Sequence, residues 1–197
     1  QQQALVNKCI EVLSTDGIYN PGMTDIESHD AVLILGEDIT QTSSRVALSI
    51  RQAAKNEALK MAAATKTQSW LAEPVKRIGQ GVQSPVYIID VTQTKLEDIS
   101  KVSVVATPED ITKLGFKVAD EIANFADDLT KIIDPKSSEK DADTDVNADP
   151  MQALAQQIAY DLIKANKPLV VSGSSLSSTA LIEAAAQITQ ALSQKRT

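Results

Sequence analysis

The sequence predicts an α/β protein: an open, mostly parallel sheet with helices on both faces. Three observations carry that reading. Short apolar runs of strand length, near 31–35, 85–90, 102–105 and 168–171, are separated by longer stretches of helical periodicity. The runs at 31–35 and 168–171 are continuously apolar instead of alternating, as strands covered on both faces are. Finally, Ala31-Val32-Leu33-Ile34-Leu35 ends on Gly36 and a polar loop, and a helical pattern opens near Ser43-Ser44-Arg45. That is the strand–loop–helix unit of a Rossmann-like sheet, whose ligands sit beyond the carboxyl ends of the strands.

Each element has its own signal. Leu5, Cys9, Val12 and Leu13 recur at helical spacing and predict a helix over 3–14, with Cys9 as a buried structural thiol on its apolar face. Gly17 to Gly22 is turn-rich, with Asn20-Pro21-Gly22 as the breaker, and 25–28 reads as a short helical turn into the first strand. Residues 43–64 read as one long helix with Val46, Leu48, Ile50, Ala53, Ala54, Leu59 and Ala62 on or near its buried face, and Thr42, Ser43 or Ser44 as its cap. Its helical character continues through Trp70-Leu71 to a stop near Gly79 and Gly81. Pro85–Asp90 is the second strand and Val102–Val105 the third. Pro108 marks a helix from about Glu109 to Ile132, whose stripe is Ile111, Leu114, Val118, Ile122, Phe125 and Leu129. Met151–Ala165 is amphipathic, Pro168–Val171 is the fourth strand, and Thr179–Leu192 closes the fold.

Between Asp134 and Asp149 the composition changes to Asp, Glu, Lys and Ser, bracketed by Pro135 and Pro150. So little apolar surface does not offset the entropy of ordering, so 134–149 is expected to be a flexible acidic loop within one α/β domain spanning 1–197. It lacks the Gly and the terminal Glu of a calcium loop.

Composition removes several function classes. The net charge of −7 argues against a nucleic-acid surface, which needs clustered Lys and Arg to meet phosphates. Cys9 is the sole cysteine, so no internal disulfide, zinc-thiolate site or iron–sulfur site can be built from this chain alone. His29 is the sole histidine, which leaves no His pair for a metal, and it reads as a surface or edge residue. There is no apolar run of membrane-spanning length and no signal segment. With a start at Gln1-Gln2-Gln3, the expectation is a soluble piece of a longer protein.

Three loops stand where a cofactor would. Gly36-Glu37-Asp38-Ile39-Thr40-Gln41-Thr42 lies between a strand and a helix, where backbone N–H groups hold phosphates. It lacks the Gly-x-Gly-x-x-Gly spacing, and Glu37 and Asp38 put negative charge where an anion would sit. Its Thr40 and Thr42 look like turn and cap residues. Asp90-Val91-Thr92 follows the second strand, where a carboxylate binds ribose or caps the next turn. Ser172-Gly173-Ser174-Ser175 is small and polar, but has neither the Lys of a phosphate-binding loop nor the frame of a nucleophile elbow, so a tight turn with a helix cap is favoured.

The blocks DAVLILGEDITQTSSRVALSIRQAAK, SPVYIIDVTQTKLEDISKVSVVATPEDITKLGFKVADEI and KPLVVSGSS resemble the large iron–sulfur subunit family of bacterial NADH–quinone oxidoreductase, respiratory complex I. The resemblance runs from about Ile10 to Leu192 and is weakest over Asp134–Asp149. That subunit is similar to the molybdopterin oxidoreductases. In active members the first loop reads Gly-Ser-Asn-Pro, where this chain has Gly36-Glu37-Asp38-Ile39. The second reads Asp-Pro-Arg, where only Asp90 matches. A Gly-Thr-Asp motif is replaced by Pro108-Glu109-Asp110, where only Asp110 matches and Pro108 offers no N–H.

The resemblance thus implies the family's fold with its molybdopterin site lost. Gly36, Glu37, Asp38, Asp90, Asp110, Gly173 and Ser174 are its vestiges, and no catalytic, metal or cofactor-binding residue is expected. It also implies a parent subunit that carries iron–sulfur clusters on cysteines outside this segment. The segment would be a cofactor-free scaffold among the other subunits of complex I. Its place would be cytoplasmic and peripheral to the inner membrane, without direct membrane insertion. A nucleotide-binding Rossmann-like domain, or the central domain of a thiamine-diphosphate enzyme suggested by Lys167-Pro168-Leu169-Val170-Val171-Ser172-Gly173, are the alternatives.

Overall fold

A computed structural model describes residues 2–15, 17–132 and 150–194. The expected acidic loop at 134–149 lies outside the described residues, as does the side chain of Leu129. Four parallel strands form one sheet in the order β3-β2-β1-β4: β1 (Ala31–Leu35), β2 (Val86–Asp90), β3 (Val102–Val105) and β4 (Pro168–Ser172). β1 pairs with β2 from Val32↔Val86 to Leu35↔Ile89, and with β4 from Ala31↔Pro168 to Leu35↔Ser172.

The continuous apolar run of β1 has a direct cause in this order. It is a central strand, and none of its five side chains is more than 1% exposed. Because side chains alternate across a strand, Ala31, Leu33 and Leu35 enter one core while Val32 and Ile34 enter another. The first core is closed by α7 (Pro108–Ile132), α8 (Pro150–Lys164) and α9 (Thr179–Gln194), through Ile111, Leu114, Val118, Ile122, Ile158, Leu162, Leu181 and Ile188. The second is closed by α2 (Met23–Ile26), α3 (Ile39–Thr42) and α4 (Ser44–Ala53), through Ile26, Ile39, Ala47 and Ile50. α1 (Gln2–Leu13) packs on α9, outside the sheet proper.

The long helix expected over 43–64 is broken into α4 and α5 (Asn56–Ala64). The Ala54 carbonyl accepts the Ser84 N–H at 2.9 Å, and the Ser84 hydroxyl accepts the Glu57 N–H at 3.1 Å. The Asn56 amide donates to the carbonyls of Glu27 and His29, each at 2.8 Å. A straight helix would forgo these ties, which anchor the break to the segments before β1 and β2. Residues 65–71 form turns instead of continuing the helix, and α6 (Ala72–Gly79) follows, ended by Gln80 in the left-handed region. Two short elements carried no sequence signal strong enough to read: α3, and a 3₁₀ turn at Glu97–Ile99.

Candidate functional site

β1 is followed by crossovers to β2 and β3 on one side of the sheet, and the chain then returns to place β4 on the other side. The carboxyl ends of β1 and β4 therefore flank the topological switch point, the crevice where open α/β sheets bind ligands. Five of the seven sequence-predicted vestigial residues come to this end of β1 and β4: Gly36, Glu37 and Asp38 from one side, Gly173 and Ser174 from the other. Asp90 ends the neighbouring β2. Asp110 is in the first turn of α7, where its carboxylate accepts from the Thr107 hydroxyl at 2.8 Å while its N–H donates to the same oxygen at 3.3 Å. It is a helix-capping residue.

At the head of the crevice Gly36 has φ +63°, and a Cβ there would come within 2.5 Å of Leu181 and 2.7 Å of Leu176. Both the backbone conformation and the space demand glycine at this turn. What fills the crevice is a side chain. Glu37 is buried, and its carboxylate reaches over Gly173 to accept the Ser175 N–H at 3.3 Å and the Ser175 hydroxyl at 2.7 Å. A Cβ on Gly173 would lie 2.0 Å from the nearer carboxylate oxygen. A backbone N–H and a hydroxyl at the end of a strand are the donors an anionic ligand would use. Here they are occupied by an anion that the protein supplies itself.

Asp38 does a different job from the one its charge suggests. It is the N-cap of α3, accepting the Thr40 N–H at 3.0 Å and the Thr40 hydroxyl at 2.6 Å, so the cap is Asp38, with Thr40 as its partner. Ser43 stands at the N-cap position of α4 but its side chain makes no cap bond. Asp90 is buried, and its carboxylate accepts the Val91 N–H at 2.7 Å. Burial pushes its carboxyl above the ordinary value of 3.8, the Val91 N–H opposes that, and the charges of Asp38 and Glu37 add to it. Ser174 is exposed, and its carbonyl closes the following turn by accepting the Ser177 N–H at 2.9 Å. Ser178 caps α9 through the Leu181 N–H at 3.3 Å, as the reading of a turn with helix cap requires.

Two expectations need correction. His29 is a buried residue, 6% exposed, with Nδ1 2.9 Å from the Asp25 carbonyl. The turn of α2 folds over it, which its position beside the polar Asp30 did not reveal. Cys9 is only half-buried and sits in the wall of a surface groove instead of inside the core. Sequence reasoning also passed over the polar centre at the opposite end of β1. Asp30 is buried and accepts from the Lys167 N–H at 2.7 Å, the Asn166 N–H at 3.1 Å, the Asn166 amide at 3.3 Å and the Lys60 ammonium at 2.9 Å. The signal was available: a carboxylate placed immediately before a fully buried strand must find partners.

Among the described residues, no group of three or more His, Cys, Asp or Glu is arranged to hold a metal, and no helix is long and apolar enough to cross a membrane. No family model matches the chain. Curated relatives do. It is 46% identical over 189 residues to the G subunit of NADH-quinone oxidoreductase of Pseudomonas putida KT2440, in a match that covers 96% of this chain. It is 43% identical to the corresponding Pseudomonas fluorescens protein over 93% of the chain, and 39% identical to that of Escherichia coli K12 over 97%. In each case the chain spans 19% of the relative's length. Matches of this extent set the thiamine-diphosphate alternative aside. The chain belongs to the family of NADH-quinone oxidoreductase G subunits, of which it represents a segment about one fifth as long.

Proposed function

We propose that this segment is a cofactor-free scaffold of an iron–sulfur electron-transfer subunit in respiratory complex I. It would hold its parent's cluster-bearing region and neighbouring subunits in place while carrying no electron itself. The observation that supports this reading most is the Glu37 carboxylate, which lies over Gly173 and occupies the donors of Ser175. A phosphate entering the crevice would have to displace that carboxylate and then face Asp38 and Asp90, with no Lys or Arg among the residues that close the crevice to offset the repulsion. The complex would sit on the cytoplasmic side of the inner membrane, with this segment peripheral to it. Its partners would be other complex I subunits, not nucleic acid.

Calorimetry of the full-length subunit with guanine and nicotinamide nucleotides tests the reading. The expected result is no heat that Gly173→Glu alters. Saturable binding that Gly173→Glu weakens would overturn it in favour of a nucleotide-binding domain. The electron-transfer part has its own check. The clusters are proposed to use cysteines outside this segment, so Cys9→Ser is expected to leave the iron content and the paramagnetic cluster signals of the full-length subunit unchanged. Loss of one cluster's iron would place a ligand here.

A further inference from the structure

β4 is an edge strand, paired with β1 on one side only. Only Leu169 of its five residues is fully buried, whereas every residue of β1 and β2 is. A groove of about 480 Å³ runs along it, walled by α1, the turn at 17–21 and α9. The consecutive residues Leu169 and Val170 both line the groove. They point to opposite faces of the sheet, so the groove meets the edge of the strand. The Ser172 hydroxyl, at the far end, is buried without a hydrogen-bond partner among the described residues.

The walls are apolar at Leu13, Ile18 and Ile182. The apolar surface also continues outward along α1, where Val6, Ile10 and Leu13 are 54%, 57% and 59% exposed at helical spacing. An open row of main-chain donors and acceptors with apolar walls is what an added extended segment pairs with. A helix or a small molecule would leave the main-chain groups unmatched.

We propose that the β4 edge is completed by an extended stretch of the same subunit polypeptide, lying as a fifth strand in this groove and covering the outer stripe of α1. The occupant is assigned to the same polypeptide because the relatives are about five times as long as this chain, which leaves most of such a subunit's sequence to supply a further strand. The inference rests on the scaffold reading for its biological sense, since it names the surface through which the segment is built into its parent. Its test is independent of whether the switch-point crevice holds a nucleotide.

Hydrogen exchange in the full-length subunit reads the pairing directly. Amides of β4 that do not bond to β1 are expected to exchange at least about 100-fold more slowly than those of an open edge, like the amides of a central strand. A photo-reactive amino acid in place of Ala186, in the α9 wall, identifies the occupant. The expected cross-link is to a stretch of the same polypeptide outside the described residues. Fast edge-like exchange would overturn the proposal. So would a cross-link to another subunit or to a second copy, or no cross-link at all.

Discussion

Asp30, just before β1, and Asp90, at the end of β2, are buried aspartates at opposite ends of the sheet, and the fold treats them in opposite ways. At the amino end Asp30 is met by two backbone N–H groups, an amide and an ammonium. Burial works against its ionised form, but the Lys60 hydrogen bond and the Lys167 and Asn166 N–H groups outweigh it and hold its carboxyl below the ordinary 3.8. At the carboxyl end of β2 burial pushes the Asp90 carboxyl up, the Val91 N–H opposes that, and the charges of Asp38 and Glu37 add to it. The same residue type is a tie between β1, β4 and α5 at one end and an electrostatic burden at the other. Beside Asp90, at the same end of the sheet, the Glu37 carboxylate lies over Gly173 and bonds Ser175.

Removing the better-satisfied carboxylate should have the largest effect. Asp30→Ala leaves the Lys167 and Asn166 N–H groups without their acceptor and is expected to cost about 3 kcal/mol in denaturant unfolding. Its pH dependence follows from the lowered pKa. The stability Asp30 supplies is present above its unfolded value of 3.8 and is lost as pH falls through the lower folded value. The difference between wild type and variant should therefore shrink in acid below pH 3.8. A variant within about 1 kcal/mol of wild type at neutral pH would remove the contrast between the two ends.

The plugged crevice gives the next effect. Gly173→Ala must push the Glu37 carboxylate off Ser175, since the new Cβ would lie 2.0 Å from it, at a cost of about 2 kcal/mol. In a Glu37→Ala background the same change should cost much less. The resulting coupling of about 1 kcal/mol in a double-mutant cycle would show that Glu37 fills the crevice in solution. Additive costs would show that the carboxylate lies elsewhere.

The smallest effect is of opposite sign. Asp90→Asn keeps an oxygen for the Val91 N–H and removes a buried charge facing Glu37 and Asp38, so it should stabilise the protein by about 1 kcal/mol at neutral pH. Here the folded pKa is raised. The stability that comes from protonating Asp90 is fully present below the unfolded 3.8 and is lost as pH rises through the higher folded value. The advantage of Asn should accordingly vanish in acid. Thermal melts of the variant from about pH 3 to 7 would show it, and a destabilised Asn variant at neutral pH would mean that the carboxylate has a partner of opposite charge in solution.

The sequence by itself determined the sheet and its class. The unbroken apolar run of β1 already required cover on both faces, and the stripe from Ile111 to Ile122 already required a helix lying on a sheet. Gly36, placed directly after the apolar run, marked the tight turn that ends β1. These are local properties, written in consecutive residues or in one helical period. Other features depend on residues far apart in the chain. The helix break at Ala54 is set by Ser84, some 30 residues on, and three of the four donor groups on Asp30 come from Asn166 and Lys167, 136 and 137 residues away. Glu37 read as a repulsive charge until the fold placed Ser175 beneath it, 138 residues along the chain. Strand order also belongs to the fold: each strand's pattern says that it is buried, but only the return of the chain across β1 places β4 at an edge and opens the groove beside it.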